Sequence, residues 1–363
     1  MKIGLGLYRH MLTAENFRFA RQAGATHIVA HWVDYFSGGP RIPQAESDGS
    51  GWGASQNQQR LWSVAELTDL RQAVEAEGLT LAAIENLDPS HWHDVLLDGP
   101  RKRQQLEDVK TIVRHMGAAG IPVLGYNFSI AGVWGHVVGP WARGGAESVG
   151  FSAATGPQQT PIPNGQVWNM TYDPDAPAGT VGEVTSEQLW ARLEEFLHEI
   201  VPVAAEAGVR LAAHPDDPPL PALRGTARLV YRPELYQRLL AIEPGPANAL
   251  EFCQGTIAEM NGEMDVYEAI ETYSKTGRIA YVHFRNVRGK VPEYHEVFLD
   301  EGDVDMVRAL RLYLRNGYDG VIIPDHTPQM ACAASWHAGM AYALGWMRAA
   351  LPLIAAEEGV AVP

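Results

Sequence analysis

Eight short apolar runs, each followed by a longer stretch with helical periodicity, recur from one end of this chain to the other. That rhythm restricts the fold more than any single motif. The runs are Ile3–Leu7, His27–His31, Leu79–Ile84, Pro122–Tyr126, Val209–Ala213, Ala249–Phe252, Ile279–Val282 and Gly320–Ile323. Between them lie helical signals. Ser63 with Glu66 and Thr185 with Gln188 are capping boxes, and the second opens a face of Leu189, Leu193, Phe196, Leu197 and Ile200. Pro202 is expected to kink or shorten that helix. Eight β-then-α units predict one closed parallel (β/α)8 barrel, a TIM barrel, spanning residues 1–363 as a single domain. A doubly wound sheet uses the same alternation, but no G-x-G-x-x-G turn follows a strand here.

Composition agrees. Of 363 residues, 46% are hydrophobic and 20% charged, which suits a large core and excludes a disordered chain. The net charge of −15 argues against a nucleic-acid partner, and the absence of a long apolar run argues against a membrane span. Two cysteines, Cys253 and Cys332, are too few for a disulfide scaffold. Arg9 and His10 break the first apolar stretch too early for a signal peptide. The expectation is a cytoplasmic protein assembled as a homo-oligomer.

Two connections, 34–62 after strand two and 131–185 after strand four, are too long for plain turns. Both leave a strand and enter a helix, so they belong on the C-terminal face of a barrel, where active sites sit. Trp134, Trp141 and Trp168 make the second a candidate lid.

The late strands carry the chemistry. Strand five runs into His214, strand six into Cys253, strand seven into His283, and strand eight into Asp325 followed by His326. Two imidazoles, a thiolate and a carboxylate at one height on adjacent strands form a ligand set for one divalent ion. The donors suit zinc, iron, cobalt or nickel, and the carboxylate admits manganese. Arg285 and Asn286 follow His283 and either grip a substrate carboxylate or form a salt bridge and a loop cap. Tyr126 and Asn127 end strand four and either bind sugar hydroxyls or tie down the loop. His295, beside Glu296, either reaches the pocket or lies exposed, and Glu85 ends strand three facing the pocket or a neighbouring Arg or His. His91, His93 and His136 read as surface residues.

At these residues the sequence resembles the mannonate dehydratases, bacterial enzymes of hexuronate breakdown on a xylose-isomerase-like barrel. The matching pieces are Gly117-Ala118-Ala119-Gly120-Ile121-Pro122-Val123 with Tyr126-Asn127-Phe128, then His214-Pro215-Asp216-Asp217-Pro218-Pro219, and Cys253 with Gly255. His283 with Arg285-Asn286-Val287, His295-Glu296, Gly302-Asp303-Val304-Asp305-Met306 and Pro324-Asp325-His326 follow in order. The resemblance implies that His214, Cys253, His283 and Asp325 bind one metal ion, usually manganese, and that His326 is an acid–base residue. It also implies loss of water from a sugar acid to give a 2-keto-3-deoxy acid. Departures are present. The family's tyrosine after Pro-Asp-His is missing, with none until Tyr342, and Gly6-Leu7-Tyr8-Arg9-His10 replaces an Arg-Trp-Tyr-Gly type strand. A metal-dependent sugar isomerase or epimerase is the alternative, because the same base and metal move a proton without expelling hydroxide.

Overall fold

In the computed structural model, which describes residues 1–35, 52–55 and 60–360, all eight apolar runs are strands of one closed parallel barrel. They are β1 (Lys2–Leu7), β2 (His27–His31), β3 (Thr80–Glu85), β4 (Val123–Tyr126), β5 (Arg210–Ala213), β6 (Asn248–Cys253), β7 (Ile279–His283) and β8 (Val321–Ile323). Each pairs with its neighbours in chain order, and β1 closes on β8. Helices follow every strand, and their apolar faces meet the outward faces of the strands in one continuous core. Both capping boxes form, at Ser63 and at Thr185. The helix Ser186–Ala207 runs on through Pro202, which therefore does not end it. Pro202 is exposed, so the carbonyl it fails to bond faces water. Among the described residues no helix is long and apolar enough to cross a membrane.

Inside the barrel, small side chains make room for buried charge. Gly125 is required: a Cβ there would lie 2.3 Å from the Tyr281 hydroxyl and 2.4 Å from Glu251 Oε2. Because Gly125 must face inward, its neighbour Tyr126 faces outward by strand alternation.

The 131–185 connection is more ordered than a loop. Its segments His136–Ala142 and Ala146–Ser152 form an antiparallel pair, and Ala146–Ser152 also pairs with Glu293–Val297 of the hairpin after β7. Gln166–Val167 and Met170–Thr171 pair, and the latter also pairs with Gly53–Ala54. The rest of the 34–62 connection lies largely outside the described residues.

Candidate metal centre and cavity

Register brings the late strand ends level. Cys253 pairs with His283, and His283 with Ile323, two residues before Asp325. Ligand atoms of His214, Cys253 and His283 all lie within 4.8 Å of one another. Asp325 joins them, its Oδ2 3.3 Å from His283 Nδ1. It adopts a positive φ of 58°, a conformation uncommon for non-glycine residues. His214 Nδ1 donates to the Pro215 carbonyl at 2.6 Å, which leaves Nε2 as the nitrogen able to face an ion. The Cys253 sulfur accepts from the Thr256 hydroxyl at 3.0 Å.

The electrostatics suit a cation. Burial opposes ionisation of Cys253, but the Arg285 guanidinium and the neighbouring His214 and His283 imidazoles bring its thiol down to about 5. Burial should discharge His283, yet Asp325 and Glu85 hold its pKa well above the usual imidazole range. His214, likewise buried, is raised to about 9 by Cys253 and Glu251. Two imidazoles thus draw protons from a pocket rich in anions. Both ring nitrogens of His283 are buried without a hydrogen-bonding partner. A thiolate, a carboxylate and two imidazoles, with orphaned donor atoms between them, fit one divalent ion.

Beneath this set lie Glu85 and Glu251, each with an oxygen 3.3 Å from His283 Nε2. The two divide one charge. Burial raises both, but the His31 and His283 charges bring Glu85 down to about 2, whereas Glu251 is pushed up by burial and by Glu85 itself. Glu251 lies two residues before Cys253 on the same strand, so alternation points it inward as well.

A cavity opens above the candidate ligand set, lined in part by His214, His283 and Asp325. His326 stands in its wall with Nδ1 2.9 Å from Glu296 Oε1, and its side chain is 24% exposed, so substrate can reach it. Burial lowers the pKa of this imidazole, but Asp325 and Glu296 outweigh it and raise it to about 10. Asn127 and Glu85 also line the cavity.

The other residues read as substrate contacts are placed elsewhere. Arg285 is 2% exposed and meets Glu259 at 2.5 Å, Asp217 at 2.7 Å, Glu296 at 3.2 Å and Asp325 at 3.3 Å. It is a buried hub behind the ligands and does not line the cavity. Gly255 makes room for it, since a Cβ would lie 2.3 Å from Arg285 Cγ. The Asn286 amide donates to the carbonyls of Leu299 and Val304, tying down the segment after the hairpin. Tyr126 packs outside the barrel against Phe196, ring centroids 5.5 Å apart. His295 lies over Trp141 on the outer face of the hairpin, and its neighbour Glu296 takes the inward position.

Several cavity residues went unmarked in the sequence. His136 is buried, not on the surface, and its Nε2 lies 3.0 Å from Asp217 Oδ1. His91 and His93 are buried in the helix Pro89–Leu97. Of the three tryptophans only Trp168 lines the cavity, while Trp134 lies buried beneath Arg224. Tyr8, His31, Tyr35 and Asn86 complete the wall. The end-of-strand position that marked the late ligands also marks His31 and Tyr8. Nothing local marks Tyr35.

A family model described as D-mannonate dehydratase (UxuA) matches residues 18–148 and 179–348. The mannonate dehydratase of Streptococcus pneumoniae (strain 70585) is 31% identical over 282 residues, 73% of this chain and 74% of that protein. Mannonate dehydratase 2 of Halalkalibacterium halodurans is 30% identical over 284 residues, 73% of this chain and 79% of its own. Among solved structures, mannonate dehydratase from Streptococcus suis serotype 2 shares the fold with a TM-score of 0.79 at 24% identity, covering 100% of this chain and 96% of that one.

Proposed function

The chain belongs to the D-mannonate dehydratase family, a family of hydro-lyases, and we propose that it removes water from a mannonate-like aldonate to give a 2-keto-3-deoxy acid with one divalent ion bound. The observation that carries this reading is His326, oriented by Glu296 inside a cavity lined by His214, His283 and Asp325, with a ligand atom of the buried Cys253 within 4.8 Å of both imidazoles. Those four residues would hold the ion. Family resemblance favours manganese, and the donor set also suits zinc, iron, cobalt or nickel. When bound, the ion would supply Lewis-acid polarisation of substrate oxygens beside the reacting carbon.

The chain's own residues do the remaining work. A proton beside a carboxylate is weakly acidic, so its removal needs a base within hydrogen-bond reach. His326 fills that role once an ion held by Asp325 offsets the carboxylate charge that otherwise keeps the imidazole protonated. Glu296 holds its Nδ1, leaving Nε2 to take the C2 proton. Arg285, 3.2 Å from Glu296, holds that carboxylate in place, and so acts on the imidazole at one remove. Asn127 faces the cavity and supports His214 through the Pro215 carbonyl that both donate to, its own amide nitrogen 3.3 Å away.

The test is to incubate metal-loaded protein with a panel of aldonates and neutral sugars. A 2-keto-3-deoxy product from an aldonate is expected. Isomerised or epimerised neutral sugars, with no keto-deoxy product, would replace the dehydratase reading with the isomerase one.

A further inference from the structure

His326 is not the only histidine in the cavity wall that a buried carboxylate holds by one ring nitrogen. His136 opens the strand His136–Ala142 in the connection after β4, is 6% exposed, and has no part in the steps above. Its Nε2 lies 3.0 Å from Asp217 Oδ1 and 3.0 Å from the Tyr294 hydroxyl oxygen. Asp217 also pairs with the Arg285 guanidinium at 2.7 Å and accepts from the Tyr294 hydroxyl at 2.7 Å. Burial would raise its pKa, but His136 and Arg285 hold it well below the usual carboxylate range. An ionised carboxylate only accepts, so His136 Nε2 carries a proton and donates it. The Tyr294 proton is already given to Asp217, so its oxygen accepts from Nε2 as well.

The other ring nitrogen is left for the cavity. Nδ1 has no hydrogen-bond partner among the described residues and is not sealed from the space that the ring lines. A neutral ring offers a lone pair there, and a protonated ring offers a donor. A hydroxyl satisfies both, because it accepts through its oxygen and donates through its hydrogen. A carboxylate would satisfy only the charged ring, and would stand against the ionised Asp217 in the same wall.

The hydroxyl is not one of the reacting pair. The ring contacts of His136 are with Asp217 and Tyr294, and none is with His326 or the four candidate ligands. One buried side chain nonetheless sets the two histidines relative to each other. Arg285 holds Asp217 at 2.7 Å and Glu296 at 3.2 Å, and these carboxylates hold His136 and His326.

We propose that His136 is a specificity-determining residue whose Nδ1 binds one hydroxyl of the aldonate's chain beyond C3. This rests on the dehydratase reading above and adds to it the part of the substrate that does not react. The contact is made equally before and during proton transfer, so it acts on binding, while His326 acts on rate.

His136→Gln keeps a donor for Asp217 and removes the polar atom at the Nδ1 place. In metal-loaded protein with D-mannonate, the variant should lose about 10- to 100-fold in kcat/KM, mainly through KM. The 4-, 5- and 6-deoxy analogues then locate the contact. For one of them the unmutated protein and the variant should agree within about twofold, because the hydroxyl that His136 binds is already gone. For the other two the deficit should persist. His136→Asn, whose shorter amide keeps a polar atom near the Nδ1 place, should lose less than His136→Gln on D-mannonate. An equal deficit on all four compounds, with Gln milder than Asn, would show that His136 serves only to hold Asp217 and would overturn the proposal. So would a folded His136→Gln with the unmutated kcat/KM on D-mannonate. Failure of the unmutated protein to dehydrate any aldonate overturns the dehydratase reading instead, and the same comparison is then read from calorimetric binding of the four compounds.

Discussion

The two halves of the barrel mouth are built from different materials. Strands β5 to β8 end in His214, Cys253, His283 and Asp325, four ionisable groups locked by strand register and by the buried Arg285 behind them. Strands β1 to β4 end in or run into Tyr8, His31, Asn86 and Asn127, and their half is closed over by Trp52 and Trp168 from the two long connections. The charged half is rigid because each side chain answers to several opposite charges. The aromatic half is shaped by packing between segments far apart in sequence.

The comparison is sharpest at His326, whose loss should produce the largest effect. His326→Asn is expected to cut turnover about 10²–10⁴-fold while metal content and melting temperature stay near normal. A matching fall in metal content would make it a fifth ligand. A fall in stability with an unchanged rate per folded molecule would make it structural.

Arg285→Met tests why the charged half is rigid. It leaves Glu259, Asp217 and Glu296 without their shared counter-charge, all buried. Breaking one side of such a cluster costs about 3–5 kcal/mol, readable as a lower urea midpoint. A variant as stable as the parent would mean that those carboxylates are satisfied by other means. The same change removes the charge that lowers the Cys253 thiol pKa, so metal affinity should fall at neutral pH.

A smaller effect is expected from the other half. Trp168→Leu should leave metal content unchanged and alter the kcat/KM ratio between aldonates of different chain length by about 10-fold, the worth of a reshaped apolar wall. An unchanged ratio would show that selection lies with the charged half.

The same contrast decides how much was readable from sequence. A barrel needs only hydrophobic rhythm, and the eight runs supply it. A candidate ligand at a strand end needs only its position, so His214, Cys253, His283 and Asp325 stand out in the chain. Arg285 misleads, because sequence displays its charge but not the carboxylates folding around it from three separate segments, Asp217, Glu259 and Glu296. Tyr126 and Asn127, like His295 and Glu296, differ by one place, and a period of two makes one place the difference between core and cavity. Only Gly125, forced inward by Tyr281 and Glu251, sets that phase, and its reason is a contact across the barrel. The strands within 131–185 are equally hidden. Ala146–Ser152 pairs with Glu293–Val297, more than a hundred residues away, so no local pattern announces it.

The account stands on one ion held by the ends of β5 to β8, and cobalt substitution tests that most directly. Protein loaded with Co²⁺ should bind about one ion per chain and show a thiolate-to-metal charge-transfer band. That band should vanish in Cys253→Ala, with occupancy falling steeply, and persist in Cys332→Ala, a cysteine that is exposed and outside the candidate ligand set. A band that survives Cys253→Ala, or full occupancy with no thiolate signature in the unmutated protein, would contradict it.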